Sequence, residues 1–160
     1  VEKLEAHKLG LKHKAISVFV FHKNKILLQR RAMEKYHTPG LWANTCCTHP
    51  YWNESNSDCA SRRLFEELHL TDLTLENRGK IEYRADVGQG LIEHEIVEIF
   101  TSTCSSLPKV IPNPEEVMEV KWLDQIELAN KVKTNPDEFT PWLRIYMLKH
   151  FEQISGTITA

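Results

Sequence analysis

Four groups of side chains in this chain have types and spacings suited to chemistry. The first is Glu54, Arg62, Glu66 and Glu67. On a helix, Arg62 and Glu66 lie four apart and share a face, and Glu67 projects in a neighbouring direction. Gathered carboxylates suit Mg2+, a hard cation that takes oxygen ligands and substrate phosphates. The plain alternative is a solvated charged face with a helical ion pair. The second group is Asn44-Thr45-Cys46-Cys47-Thr48-His49-Pro50, where a cysteine near a histidine is a nucleophile, a metal ligand or a small buried hydrophobe. The third is Glu93-His94-Glu95. On a strand, Glu93 and Glu95 point to one face, and two carboxylates among Ile, Val and Phe are costly unless paired or metal-bound. The other reading is the water-facing side of an edge strand. The fourth is His7 and His13. Lone histidines are usually surface or satisfied core residues, yet imidazole is the commonest ligand for Zn2+, Mn2+ or Fe2+. His7, His13, His49, Glu93 and Glu95 together would supply an octahedral site of mixed nitrogen and oxygen.

The elements that must position these groups follow from local pattern. Ala15-Ile16-Ser17-Val18-Phe19-Val20-Phe21-His22 is short and rich in β-branched and aromatic residues, which predicts a strand. A tight turn over His22–Lys25 leads into a second strand, Ile26–Arg30. Thr38-Pro39-Gly40 breaks the chain, and one short strand is expected from Trp42 to Cys47. Asn56 to Leu68 reads as a helix capped by Asn56 or Ser57, with Asp58 in its first turn. Its inward stripe is Ala60, Leu64 and Leu68. Strands near Arg78–Tyr83, Leu91–Thr101 and Val117–Leu123 follow. Helices near Asp124–Lys133 and Thr140–Phe151 come last, with Pro141 in the first turn of the final one. A mixed sheet flanked by helices is the natural arrangement.

A chain of 160 residues is expected to form a single catalytic domain, 1–160, with a real core. Its formal net charge of −2 points away from nucleic acid. No apolar run approaches the roughly 20 residues of a spanning helix, and Val1-Glu2-Lys3-Leu4-Glu5 carries no apolar signal region. The expectation is a cytoplasmic monomer without a membrane span. Cys46, Cys47, Cys59 and Cys104 include no CxxC pair, and reduced thiols are the default in that compartment.

Glu54, seven residues, then Arg62-Arg63-Leu64-Phe65-Glu66-Glu67-Leu68-His69-Leu70 resembles the Nudix box. Glu54, Arg62, Leu64, Glu66, Glu67 and Leu70 match it. Thr48 and His69 stand where the box has glycines, and Arg63 stands where it has a glutamate. The lost glutamate removes one of the acids that a Nudix hydrolase uses around its metals. From His7 through Trp142 the chain resembles, more specifically, the type 1 isopentenyl-diphosphate Δ-isomerases. The stretches that carry the likeness are Leu27-Leu28-Gln29-Arg30-Arg31-Ala32, Pro39-Gly40-Leu41-Trp42, the Asn44–Pro50 run, Tyr83-Arg84-Ala85, Glu93-His94-Glu95, Glu115-Glu116-Val117-Met118 and Phe139-Thr140-Pro141-Trp142.

That resemblance implies an α/β (α+β) fold, a Nudix-like mixed sheet flanked by helices. It implies an isomerase that interconverts isopentenyl diphosphate and dimethylallyl diphosphate in isoprenoid biosynthesis, with a small-molecule diphosphate as its partner. Cys47 matches the catalytic thiol and Glu95 the second acid/base. Tyr83 matches a tyrosine near the acid, and Trp142 the indole beside the reacting carbons. His7, His13, His49, Glu93 and Glu95 match an inner site for Mn2+, Zn2+ or Fe2+. Glu67 matches the ligand of a Mg2+ that meets the diphosphate. Lys3, Arg31, Lys35 and Arg63 match basic residues that hold that diphosphate, so Arg63 puts a base where a hydrolase needs an acid. Cys46 takes no role. Two other readings stand beside this one. A Nudix hydrolase of a nucleoside diphosphate derivative is disfavoured by Arg63, and a non-catalytic zinc or redox module by the missing CxxC.

Overall fold

The computed structural model describes residues 12–156, so Lys3 and His7 lie outside the described residues. Strand β1 (Lys12–His22) is buried on both faces along most of its length, as its near-continuous apolar run requires of a central strand. A two-residue loop, Lys23-Asn24, joins it to β2 (Lys25–Arg31). Further on come β5 (Glu76–Gly88), β6 (Leu91–Thr103) and β7 (Val117–Asp124). With two short pieces, β3 (Trp42–Ala43) and β4 (Cys46–Thr48), they form a seven-stranded sheet. Its main path runs β3-β2-β1-β6-β5, with β4 on β1 and β7 on β2. The β1–β6 pair is parallel and the other pairs are antiparallel, so the sheet is mixed.

The single strand expected over Trp42–Cys47 is two. β1 and β2 pair only at their tip, Phe21 with Ile26 and His22 with Lys25, and then splay apart. The segment from Trp42 to Thr48 fills the wedge. β3 pairs with β2, and β4 crosses over to pair with β1, setting Cys47 opposite Ser17. At the crossover, side chains replace ladder bonds. Thr45 Oγ1 accepts from the Val20 N–H at 2.9 Å and donates to the Leu27 carbonyl at 2.6 Å. Asn44 Nδ2 donates to the Val18 and Cys46 carbonyls at 3.0 and 3.1 Å. Nearly all buried backbone groups find partners in folded proteins, and these two polar residues supply them where the strands separate.

Helix α1 (Asn56–Leu68) lies on one face of the sheet. It buries Cys59, Ala60, Leu64 and Leu68 against Ile16, Val18, Val20 and Leu27. Its N-cap is Ser55, one residue before the expected cap, and the Ser55 hydroxyl accepts from the Asp58 N–H at 3.1 Å. His69 ends the helix at a left-handed φ of 55° and donates to the Phe65 carbonyl, a place where glycine is unstrained.

The opposite face carries a second core. There Phe19, Phe139, Trp142, Leu143 and Tyr146 pack beneath α2 (Gln125–Thr134) and the C-terminal helices. The last predicted helix is interrupted. It runs as α3 (Pro141–Ile145), one π-helical turn (Tyr146–His150) and α4 (Phe151–Ser155). Pro141 occupies its first turn as expected. No helix among the described residues is long and apolar enough to cross a membrane.

Candidate active site

Sheet register builds one end of the site. His13 on β1 stands beside Glu95 on β6, and Tyr83 on β5 stands beside Glu95 from the other side. His49 follows directly on β4. His13 Nε2, His49 Nε2 and Glu95 Oε1 are mutually 2.7–3.0 Å apart. A cation bound at about 2.1 Å holds adjacent ligands of an octahedron about 3.0 Å from each other. The three atoms thus have the spacing of one octahedral face, and two imidazole nitrogens with a carboxylate oxygen form a chemically apt donor set. Glu93 lies outside this group. Its carboxylate accepts from the Tyr83 hydroxyl and lies 3.5 Å from His37 Nε2. The Tyr83 hydroxyl also lies 3.1 Å from Glu95 Oε2, so its one hydrogen is shared between the two acids. Both carboxylates are 4% exposed, which rules out the water-facing reading of this strand.

The charge states of these groups are set by their surroundings. Burial alone would raise the Glu95 carboxyl, but bonds from His13 and His49 outweigh it and hold the group well below the usual carboxylate range. Burial pushes the Tyr83 phenol well up, with Tyr146, Glu95 and Glu93 adding to the rise. Tyr83 therefore keeps its proton and donates.

Cys47 occupies the middle strand of the wedge. Its Sγ lies 2.6 Å from Ser17 Oγ and 3.4 Å from Asn44 Oδ1. Ser17 Oγ lies 2.9 Å from the Tyr146 hydroxyl, and the Tyr146 and Tyr83 rings meet edge to face at 5.9 Å. Cys47 and Glu95 thus sit at the two ends of a buried aromatic pair. Burial pushes the Cys47 thiol up to about 12 against the opposing hydrogen bond of Ser17, with Glu95 and Glu93 raising it further. At neutral pH the sulfur carries a proton and the carboxylate does not.

Trp142, from α3, is buried in the core that also holds Tyr83 and Tyr146. Its Nε1 is buried with no hydrogen-bond partner among the described residues. The Arg31 guanidinium lies 5.2 Å from its ring centre. The β2–β7 register shifts at Arg30/Arg31, and Arg31 there is buried among Cys47, Glu93 and Glu67. Desolvation lowers its pKa, while those three groups oppose the fall.

The basic end is a second cluster, on the α1 side. Glu67 is buried and accepts from Arg63 Nη2 at 2.7 Å and from Gln29 Nε2 at 2.7 Å. Arg63 also reaches Glu66 at 3.0 Å and Glu116 at 3.4 Å, and Glu116 accepts from Lys35. Arg62 instead turns to Glu54 at 2.7 Å and to Glu66 at 2.8 Å. That pairing holds the Glu54 carboxyl down at about 2.

Sequence reasoning singled out His13, His49, Glu95, Glu93, Tyr83, Cys47, Trp142, Glu67, Arg31, Lys35 and Arg63, and the fold gathers them around one strand wedge. It passed over Ser17, Gln29, His37, Glu116 and Tyr146. A lone serine in an apolar strand and a glutamine after Ile26-Leu27-Leu28 were the available signals. Tyr146 carried none.

A family model described as NUDIX domain matches residues 11–143. An isopentenyl-diphosphate Delta-isomerase of Dinoroseobacter shibae is 61% identical across 99% of this chain and 90% of its own length. One from Rhodobacter capsulatus is 54% identical across 100% and 91%. Among solved structures, a MutT protein of Methanosarcina mazei superposes with a TM-score of 0.68 at 15% identity, covering 85% of this chain and 90% of that one. The NUDIX domain of Shewanella oneidensis NrtR, solved with ADP ribose, superposes at 0.67 and 16% identity, covering 99% and 100%. These last two speak for the fold alone. The chain belongs to the NUDIX family and, within it, to the isopentenyl-diphosphate Delta-isomerases.

Proposed function

We infer that this chain interconverts isopentenyl diphosphate and dimethylallyl diphosphate, with residues 1–160 acting as one catalytic domain. The observation that carries this reading is the placing of Cys47 and Glu95 at opposite ends of the buried Tyr146–Tyr83 pair, Cys47 through Ser17 and Glu95 through Tyr83. Moving a double bond by one position requires a proton added at one carbon and a proton removed at another. An acid and a base facing one small apolar slot provide both. Cys47 gives its proton to the terminal alkene carbon, and a tertiary carbocation-like state develops. Glu95 Oε2 takes a proton from the neighbouring methylene, with Tyr83 donating to the same oxygen. The reverse direction exchanges the roles. The face of Trp142 stabilises the positive charge by about 0.5–2 kcal/mol.

Divalent cations held by His13, His49 and Glu95, with His7 and Glu93 as further ligands, and by Glu67 beside the substrate would fix Glu95 and neutralise the diphosphate. We assign Mg2+ to the Glu67 site and Mn2+, Zn2+ or Fe2+ to the histidine site. Lys3, Arg31, Lys35 and Arg63 bind the diphosphate. Holding that remote group orients the small hydrocarbon end. All four cysteines are free, in keeping with a reducing cytoplasm, and we take the working form to be a monomer.

The test is incubation with isopentenyl diphosphate, Mg2+ and Mn2+ in deuterated water, followed by NMR. Deuterium enters the allylic product. A folded, metal-loaded protein that leaves the substrate unexchanged sinks the assignment.

A further inference from the structure

One direction of donation satisfies all three contacts around Cys47 at once. Asn44 is fully buried, and its amide has two N–H donors, both spent on the Val18 and Cys46 carbonyls. Its Oδ1, an acceptor only, is therefore the atom presented to Cys47 at 3.4 Å. The thiol hydrogen points to Asn44. Ser17 Oγ, 2.6 Å from the same sulfur, must then donate to it. With its one hydrogen spent, Ser17 accepts from the Tyr146 hydroxyl at 2.9 Å. The chain runs Tyr146 O–H to Ser17 O–H to Cys47 S–H to Asn44 C=O.

We propose that Ser17, aimed by Tyr146, is the positioning donor that stabilises the Cys47 sulfur while its proton is on the substrate. The proposal rests on the reading of Cys47 as the reacting thiol. When the thiol proton forms the new C–H bond, the S–H electron pair stays on sulfur. The thiolate that results faces an O–H already directed at it. In the reverse direction the same donor supports the thiolate before it takes the proton back. Ser17 and Tyr146 are both 0% exposed, so water does not compete for the bond between them, and Cys47 beside them is partly buried. The helix geometry points the same way. The π turn begins at Tyr146, and single π turns inside α-helices recur at functional sites. Tyr146 lies four residues after Trp142, on the helix face turned to the cavity.

The test compares Ser17→Ala, Tyr146→Phe and the double variant in the metal-loaded protein with isopentenyl diphosphate. It adds the infrared S–H stretching band of Cys47, assigned by difference from Cys47→Ala. Ser17→Ala should lower kcat by about 100-fold, the scale for removing one donor from a developing anion, with KM unchanged. Tyr146→Phe should lower kcat by about 5-fold, the worth of one neutral hydrogen bond. The double variant should be no slower than Ser17→Ala, because Tyr146 acts through Ser17. The S–H band should shift in both single variants, more in Ser17→Ala. Parental kcat, a loss confined to KM, an unmoved band or additive losses each overturn the proposal. If Ser17→Ala does not fold, Tyr146→Phe keeps the ring and decides by the same two readouts. A parent chain that fails to isomerise removes the functional reading, and the infrared band still decides whether Ser17 donates to the thiol.

Discussion

Thr45 holds the strand wedge open, and replacing it separates hydrogen bonding from packing. Its hydroxyl bonds the Val20 N–H at 2.9 Å and the Leu27 carbonyl at 2.6 Å, and Thr45, Val20 and Leu27 are each 0% exposed. Thr45→Val keeps the shape and removes the hydroxyl. Both backbone groups then lose their partner where water cannot replace it. Each such orphan costs about 1–3 kcal/mol, so the pair costs about 2–6 kcal/mol. Thr45→Ser keeps the hydroxyl and deletes one methyl, at about 0.8–1.5 kcal/mol. Valine is the more hydrophobic and the more β-prone residue, so a core governed by packing alone would rank the two variants the other way. In urea unfolding followed by circular dichroism, the Val variant should show the lower midpoint at unchanged m. Its Tm should fall by about 4–24 °C, from 2–4 °C per kcal/mol for a domain of this size. A Val variant as stable as the Ser variant would refute the idea that these two bonds hold the wedge.

Cys47→Ala and Glu95→Gln should each lose at least about 100-fold in kcat, the lower end for a general acid or base. Cys46→Ala and Cys59→Ala should keep most of their turnover in the same steady-state assay. Trp142→Phe should cost about 2- to 30-fold in kcat, the kinetic equivalent of 0.5–2 kcal/mol of lost cation–π stabilisation. A chelator should lower Tm in the parent, because a ligand held only by the folded state stabilises it, by about 2.7 kcal/mol at a hundredfold excess over Kd. His49→Ala should abolish most of that difference in calorimetry. The Glu54 carboxyl titrates near 2 in the fold against an ordinary 4.5, through its bond to Arg62. Its contribution is whole above 4.5 and disappears as pH falls towards 2, so an acid titration of Glu54→Gln should show a shallower loss of stability across that window.

Much of the architecture was legible because it is written in local pattern. The apolar run of β1, the stripe Ala60–Leu64–Leu68 and Pro141 each report on their own neighbourhood, and β1, the first helix and the start of the last one formed near their expected positions. What escaped depends on partners distant in sequence. The Trp42–Thr48 segment reads as one strand until β1 and β2 splay and Asn44 and Thr45 bond across the gap. Glu93 and Glu95 share a face by simple alternation. Their division of labour, one to Tyr83 and His37 and the other to two histidines, follows from which strands neighbour β6. Ser17 gains meaning only from the β1–β4 register that sets it opposite Cys47. Tyr146 gains its own from a π turn that no residue in the helix announces.

Arg63 shows how one substitution alters the chemistry open to this scaffold. The matching position of the Nudix box holds an acid that would add a negative ligand beside Glu67. Here a guanidinium stands there and spans Glu66, Glu67 and Glu116 within 3.4 Å. It neutralises carboxylates that would otherwise gather further cations. That leaves a site with enough charge to hold a diphosphate and fewer acids to activate water against it. Tyr83, Tyr146 and Trp142 belong to the core on the opposite sheet face. Between the two lies Arg31, buried, its guanidinium over the Trp142 ring and feeling the charges of Glu67, Glu93 and Cys47. In the proposed reading, a diphosphate held at the α1 end would project its short branched tail past Arg31 towards the thiol and the carboxylate. On that proposal the separation would keep the phosphorus atoms away from the acid and base that act on carbon. Restoring the acid with Arg63→Glu should lower Tm, because buried Glu67 loses its ion pair, and in the protein that remains folded it should weaken competitive inhibition by inorganic pyrophosphate. If inhibition were unchanged, Arg63 would be a bystander to binding, and this account of why the scaffold isomerises rather than hydrolyses would be wrong.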